Sequence, residues 1–260
     1  MLTIKEKFSQ LRKENKKAFI AYVPFGFPSI AHTKAILYAL QDAGVDIIEL
    51  GIPFSDPIAD GPIIQAATTA ALRQGATVER LFRMLKECGQ LTVPVALMTY
   101  YNPLMQYGHA AFFEQMKKSN ASGLLVVDVP VEESGTYIRL ARKSGIETIF
   151  FITPVTPLAR AKQILKLSRG FVYFISVTGT TGPQDISYDR VRMQVGAIKK
   201  LTKLPVCVGF GIHARRQIQE LNRFCDGAIV GSDIVRFIGT HAREKDFLTR
   251  LKAYIRELKP

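Results

Sequence analysis

Short, nearly continuous apolar runs rich in Val, Ile and Phe recur along the chain, and longer segments of mixed polar and apolar residues separate them. Eight runs are seen: Phe19 to Phe25, Asp46 to Gly51, Val93 to Thr99, Gly123 to Val129, Thr148 to Thr153, Phe171 to Val177, Pro205 to Phe210 and Gly227 to Gly231. Strands of a parallel sheet are buried on both faces and show this continuity rather than strict alternation. The intervening segments carry helical spacing, as in Ile36, Leu37 and Leu40, in Val78, Leu81, Phe82 and Leu85, or in Ile138, Leu140 and Ala141. Eight strands with eight crossovers predict closure into a barrel. A doubly wound open sheet is the alternative, because periodicity does not reveal strand order. The charged N-terminal segment places Leu2, Ile4, Phe8 and Leu11 at helical spacing. No low-complexity tract or Pro/Gly/Ser-rich linker interrupts the βα period, so one domain over residues 1–260 is expected.

The chain has 260 residues, 47% of them hydrophobic, enough for a sizeable core. Its formal charge of +13 invites a polyanionic partner. The placement points elsewhere: Lys and Arg are spread over Lys5 to Lys17, Arg139 to Lys143, Arg160 to Arg169, Lys199 to Lys203, Arg215 to Arg223 and Arg243 to Lys259, on segments that read as surface helices. No nucleic-acid partner is expected. No stretch approaches the roughly 20 apolar residues of a membrane span, and the N-terminus lacks an apolar signal core. Cys88, Cys207 and Cys225 are odd in number, widely spaced and without a C-x-x-C pair or nearby histidines. A reducing, cytoplasmic setting and no metal site are therefore expected.

Glu49 is an ionisable residue in an otherwise apolar stretch, near the carboxyl end of the second run. A carboxylate left dry and unpaired there costs several kcal/mol, so Glu49 either pairs with a buried cation or has a raised pKa. No basic residue stands in any of the eight strand cores, and barrel active sites lie at strand carboxyl ends, which favours proton transfer. Downstream, Pro53 to Pro62 forms a turn-rich loop containing Asp56 and Asp60. Either aspartate alone reads as a turn former or helix cap as readily as a catalyst. Three late strand ends are glycine-rich: Thr178 to Gly182, Gly209 to Ile212, and Gly231-Ser232-Asp233. Glycine admits backbone N–H groups close to an anion, and barrels hold phosphate with their last loops and a helix N-terminus.

The block Glu49-Leu50-Gly51-Ile52-Pro53-Phe54-Ser55-Asp56-Pro57, with Ala59-Asp60-Gly61-Pro62 and Gln65, resembles the signature of tryptophan synthase alpha chains. The resemblance continues through Tyr100 to Pro103, Asp128 to Glu133, Gly179 to Gly182, Gly209 to Ile212 and Gly231-Ser232. It implies a single-domain (β/α)₈ TIM barrel with an extra N-terminal helix, acting as a lyase of tryptophan biosynthesis. The reaction implied is retro-aldol cleavage of indole-3-glycerol phosphate to indole and glyceraldehyde 3-phosphate. By the same resemblance Glu49 is the general acid/base and Asp60 holds the indole N–H. Tyr22, Tyr100 and Tyr173 line the substrate, with core packing as the alternative for each. Gly182, Gly211, Gly231 and Ser232 donate to the phosphate, and Thr181 lies in a closing loop. No cofactor is implied in this chain. Pyridoxal phosphate belongs to a partner beta chain, expected in an α₂β₂ complex, with Pro53 to Asp56 and Asn102 to Gln106 at the interface. Phe27, where an aspartate is frequent, and Thr180, where a valine is usual, depart from the family pattern.

Overall fold

A computed structural model describes residues 2–119, 121–176, 187–209 and 211–260. In chain order the elements are α1 (Ile4–Lys13), β1 (Ala18–Pro24), α2 (Ile30–Asp42), β2 (Ile47–Gly51), α3 (Pro62–Arg73), α4 (Val78–Lys86), β3 (Val95–Thr99), α5 (Tyr101–Tyr107), α6 (His109–Lys117) and β4 (Ala121–Val126). They continue as α7 (Gly135–Ser144), β5 (Glu147–Ile152), α8 (Leu158–Leu167), β6 (Val172–Ile175), α9 (Tyr188–Lys199), β7 (Val206–Gly209), α10 (Arg215–Asn222), β8 (Gly227–Val230), α11 (Ser232–His241) and α12 (Phe247–Leu258).

The eight strands pair in sequence order, all parallel, and β1 closes the ring by pairing with β8 from Ala18↔Gly227 to Ala21↔Val230. The barrel is the outcome, and the open doubly wound sheet is excluded. β4 ends at Val126, three residues before the run predicted, because the chain turns away at Val127 and Asp128 ahead of Pro130, which has no N–H to give a ladder. The described residues also hold more helices than one per crossover. α3 and α4 share one connection, separated at Gly75, whose φ of +76° needs a residue without a Cβ.

Two layers of packing follow from strand geometry. Outward residues such as Phe19, Ile48, Leu97, Phe150 and Val208 join the helices in one core. Inward residues Ile20, Ile47, Ala96, Leu125, Ile149, Tyr173, Cys207 and Ile229 form a second. The basic residues of α7, Arg139, Arg142 and Lys143, are exposed, as a solvated helix face predicts.

The second core is closed from below by α1. Ile4, Phe8 and Leu11 reach into the N-terminal end of the barrel, where Phe8 meets Phe171 at a ring separation of 5.9 Å. The fit requires Gly123: a Cβ there would overlap the Ile4 side chain. A capping box holds the helix start, with Thr3 Oγ1 accepting from Glu6 N at 3.2 Å and Glu6 Oε2 accepting from Thr3 N at 2.8 Å. Glu147 of β5 accepts from Lys5 N at 3.2 and 3.3 Å, placing a carboxylate at the positive end of α1. This floor leaves the opposite mouth free for chemistry.

Ile4 is fully buried, so Ile4→Ala is expected to lower unfolding stability by about 2 to 5 kcal/mol, measured by urea titration. A loss under ~0.5 kcal/mol would show that α1 does not plug the barrel.

Candidate active site

Parallel register puts Glu49 of β2 opposite Tyr22 of β1 and Ala96 of β3, all directed into the barrel. Glu49 is 1% exposed and faces a cavity of about 460 Å³ at the carboxyl ends of the strands. Its Oε1 has no hydrogen-bond partner among the described residues, and none of their Lys or Arg side chains bridges it. Desolvation therefore goes uncompensated and pushes the carboxyl pKa up from 4.5 to about 8. At neutral pH Glu49 is mostly protonated and poised to give up a proton into the cavity. The ion-paired alternative is not what the described residues contain.

Glycines make room for the tyrosines around it. A Cβ at Gly51 would overlap the Tyr22 ring, and one at Gly209 would overlap the Tyr173 ring. Both tyrosines line the cavity, and burial holds their hydroxyls well above the usual tyrosine range, so they stay neutral. Tyr173 packs against Phe151 at 4.9 Å between ring centroids.

Asp60 enters the same cavity from the β2–α3 loop and is 9% exposed. The loop is tied down where Pro62 opens α3: Gln65 Nε2 donates to Asp60 O at 2.8 Å, and Gln65 N to Gly61 O at 2.9 Å. Burial raises the Asp60 pKa, opposed by a hydrogen bond from Tyr100. The Tyr100 hydroxyl accepts from Ala59 N at 3.0 Å, which leaves its proton for the Asp60 carboxylate. Its ring lies 5.4 Å from that of Phe54. Tyr100 thus stands at the start of α5, within hydrogen-bond reach of Asp60. Strand β3 ends at Thr99, so Tyr100 has already turned out of the strand.

The cavity also reaches the start of α11. Gly231 and Ser232 line it where α11 begins, with no side chain capping the first turn, so the leading N–H groups are available to an anion. Gly211, at φ +73°, and His213 complete that end, with His213 Nδ1 at 2.9 Å from Gly211 O. Thr181 and Gly182, with Thr180, lie outside the described residues. The cavity therefore gathers the acid Glu49, the carboxylate Asp60, Tyr22, Tyr173, Gly211, Gly231 and Ser232 in one space.

Several wall residues escaped the sequence reading. Met98, Val127, Phe151, Ile175 and Ile64 form its apolar sides, and Asp233 and Arg236 line it beside Ser232. A continuous apolar strand does not show which side chains point inward. Arg236 carried a usable signal, standing four residues after Ser232 on one helix face. Among the described residues no group of three or more His, Cys, Asp or Glu is placed to hold a metal.

A family model described as tryptophan synthase alpha chain matches residues 8–260. The chain is 42% identical over 232 residues to the tryptophan synthase alpha chain of Synechococcus sp. strain CC9902, spanning 88% of this chain and 86% of that one. It is 39% identical over 258 residues to that of Arabidopsis thaliana, spanning 98% and 94%. Among solved structures it superposes with a TM-score of 0.92 on tryptophan synthase subunit alpha from Legionella pneumophila str. Paris, at 31% identity over 99% of this chain and 97% of that one. With Mycobacterium tuberculosis tryptophan synthase the TM-score is 0.90 at 32% identity, over 99% and 97%. A closed parallel barrel, a buried unpaired carboxyl lining a cavity at the carboxyl ends of its strands, and likeness over almost the whole length agree: the chain belongs to the tryptophan synthase alpha chains, the lyases that cleave indole-3-glycerol phosphate in tryptophan biosynthesis.

Proposed function

We propose that Glu49 and Asp60 divide the proton chemistry of this cleavage, and that the observation carrying the assignment is the unpaired, protonated Glu49 carboxyl in the cavity that Asp60 also enters. Indole is a poor leaving carbanion until C3 is protonated. Glu49 gives its proton to C3, forming the indolenine tautomer, and the ionised Asp60 stabilises the positive charge that develops at the ring nitrogen. The Glu49 carboxylate then takes the proton from the side-chain hydroxyl nearest the ring. Electrons of that O–H bond form the aldehyde of glyceraldehyde 3-phosphate. Those of the breaking carbon–carbon bond return to the ring, giving indole, and Glu49 ends protonated as it began.

In this reading the indole ring lies between Tyr22, Tyr173, Phe151 and Met98, and Gly211, Gly231 and Ser232 donate to the phosphate. Thr181 and Gly182 are assigned to loop closure and phosphate binding through their place in the family sequence. Tyr100 acts as a positioning residue that keeps Asp60 ionised. We take residues 1–260 to act as one domain, since every strand among the described residues belongs to one closed sheet.

An alpha chain of tryptophan synthase implies a beta-chain partner. We assign the contact to Pro53 to Asp56 and Asn102 to Gln106 in an α₂β₂ complex, supported by the exposed apolar side chains of the adjoining Ile58, 78% exposed, and of Met105. The pyridoxal phosphate is assigned to that partner. No helix among the described residues is long and apolar enough to cross a membrane, and a cytoplasmic setting with no membrane or nucleic-acid partner is part of the proposal.

Indole release from indole-3-glycerol phosphate, measured with and without a beta chain, tests the assignment. Glu49→Gln is expected to lose about 10² to 10⁴-fold in kcat, and comparable release by variant and wild type would remove Glu49 from its role. kcat/KM should fall as pH rises past about 8, where Glu49 loses its proton. Tyr100→Phe removes the donor that favours ionised Asp60, so the acidic limb should move to higher pH. An unmoved limb would separate Tyr100 from Asp60.

Stability carries an independent signature. Between pH 4.5 and about 8 the native state holds a proton on Glu49 that the unfolded chain has released, so wild-type stability declines with rising pH through that window. Glu49→Gln lacks this loss. Its stability relative to wild type should rise from pH 5 to 8, by at most about 1.4 kcal/mol per pH unit, in paired denaturant titrations. A pH-independent difference would contradict a buried, unpaired carboxyl.

A further inference from the structure

Arg236 is the permanent cation among the described residues that line the cavity. It stands four residues after Ser232 on α11, on the face that opens to the cavity. Side chains on a helix tilt toward its N-terminus, so Arg236 extends back along α11 toward the turn where Gly231 and Ser232 offer their N–H groups. It is held there. Arg236 Nη2 donates to Asp233 Oδ1, and the Tyr254 hydroxyl of α12 donates to Asp233 Oδ2. Tyr254 is fixed in turn by stacking on Phe237, 4.2 Å between centroids and 9° from parallel.

The two sides of the pair differ in exposure. The Asp233 side chain is 5% exposed, whereas that of Arg236 is 58% exposed. A guanidinium has five N–H donors in a planar fork, and engagement of Asp233 through Nη2 leaves others free to face the cavity. Asp233 also places a carboxylate in the first turn, next to where a phosphate dianion would sit. With Arg236 absent, that carboxylate would repel the ligand.

We propose that Arg236, oriented by Asp233 and Tyr254, is a specificity-determining contact for the phosphate group of the substrate. It adds a side-chain cation to an anion site otherwise made of backbone N–H groups and Ser232. The inference rests on the phosphate end assigned above. Its consequence is preference for phosphorylated ligands that weakens with salt, since an exposed cation is screened.

The experiment measures inorganic phosphate binding by calorimetry, together with kcat and KM for indole-3-glycerol phosphate, for wild type, Arg236→Gln, Arg236→Lys and Asp233→Asn/Arg236→Gln. Arg236→Gln is expected to weaken phosphate binding about tenfold and to lower kcat/KM similarly, chiefly through KM. Arg236→Lys, which keeps the charge and loses the fork, should recover part of both. The double variant should remain weak. Recovery of wild-type phosphate affinity in the double variant would overturn the proposal, because Arg236 would then only neutralise Asp233. Unchanged affinity in Arg236→Gln would overturn it directly. Phosphate binding is read without turnover, so an inactive wild type would count against the lyase assignment of Glu49 and leave the Arg236 result standing on its own. Should Arg236→Gln not fold, the lysine variant and the salt dependence of wild-type phosphate binding decide: no change in either is the overturning result.

Discussion

A carboxylic acid sealed in an apolar barrel without a cation is the constraint around which this protein is arranged. Glu49 sits 1% exposed, with Oε1 unpartnered among the described residues, and burial alone raises its pKa to about 8. A buried Arg or Lys paired with it would favour its charged form and return the acid toward its ordinary range, removing the proton that the proposed function needs near neutrality. The absence of basic residues from the strand cores is thus a functional property as much as a packing one. The unfavourable burial is tolerated because the rest of the barrel is densely apolar, with Ile20, Ile47, Leu125, Ile149 and Phe171 below the site.

The two ends of the barrel divide stability from chemistry. At the amino end α1 inserts Ile4, Phe8 and Leu11, helped by Gly123 beneath Ile4 and by Glu147 at the helix start. At the carboxyl end comparable glycines, Gly51 and Gly209, create space that Tyr22 and Tyr173 occupy without filling. The same device closes one mouth and shapes the other. What differs is the supply of side chains: a helix covers the floor, and loops ring the opening.

Groups of different charge preference share the cavity wall. Glu49, kept neutral by burial, and Asp60, eased toward ionisation by Tyr100, lie on the side of the early strands. The α11 N-terminus and Arg236 lie on the side of the last strand. Under the proposed function, a substrate that becomes cationic during reaction and also carries a dianion meets a group suited to each. Two carboxyls with different environments can then serve different proton duties within one pocket.

Much of this was legible in the chain itself. The eight apolar runs mark the eight strands within a few residues, Glu49 stands out as a charge inside one of them, and the glycine-rich late ends point to the proposed phosphate end. These features are local, set by composition and spacing over a few residues. The order of the strands, the inward direction of Glu49, and the meeting of Asp60 with Gly231 and Ser232 belong to tertiary structure, because barrel closure brings together residues far apart in sequence. A run apolar on both faces carries no record of which face is which, so residue type alone does not mark Met98, Phe151 and Ile175 as cavity walls. Tyr100 supports Asp60 only because β3 ends a residue earlier, and Asp233 is held by Tyr254 only because α12 packs beside α11. The sequence by itself determined the elements and set one carboxyl among apolar neighbours; the environment that changes that carboxyl's proton affinity came from closure, since desolvation is a property of surroundings and not of a residue.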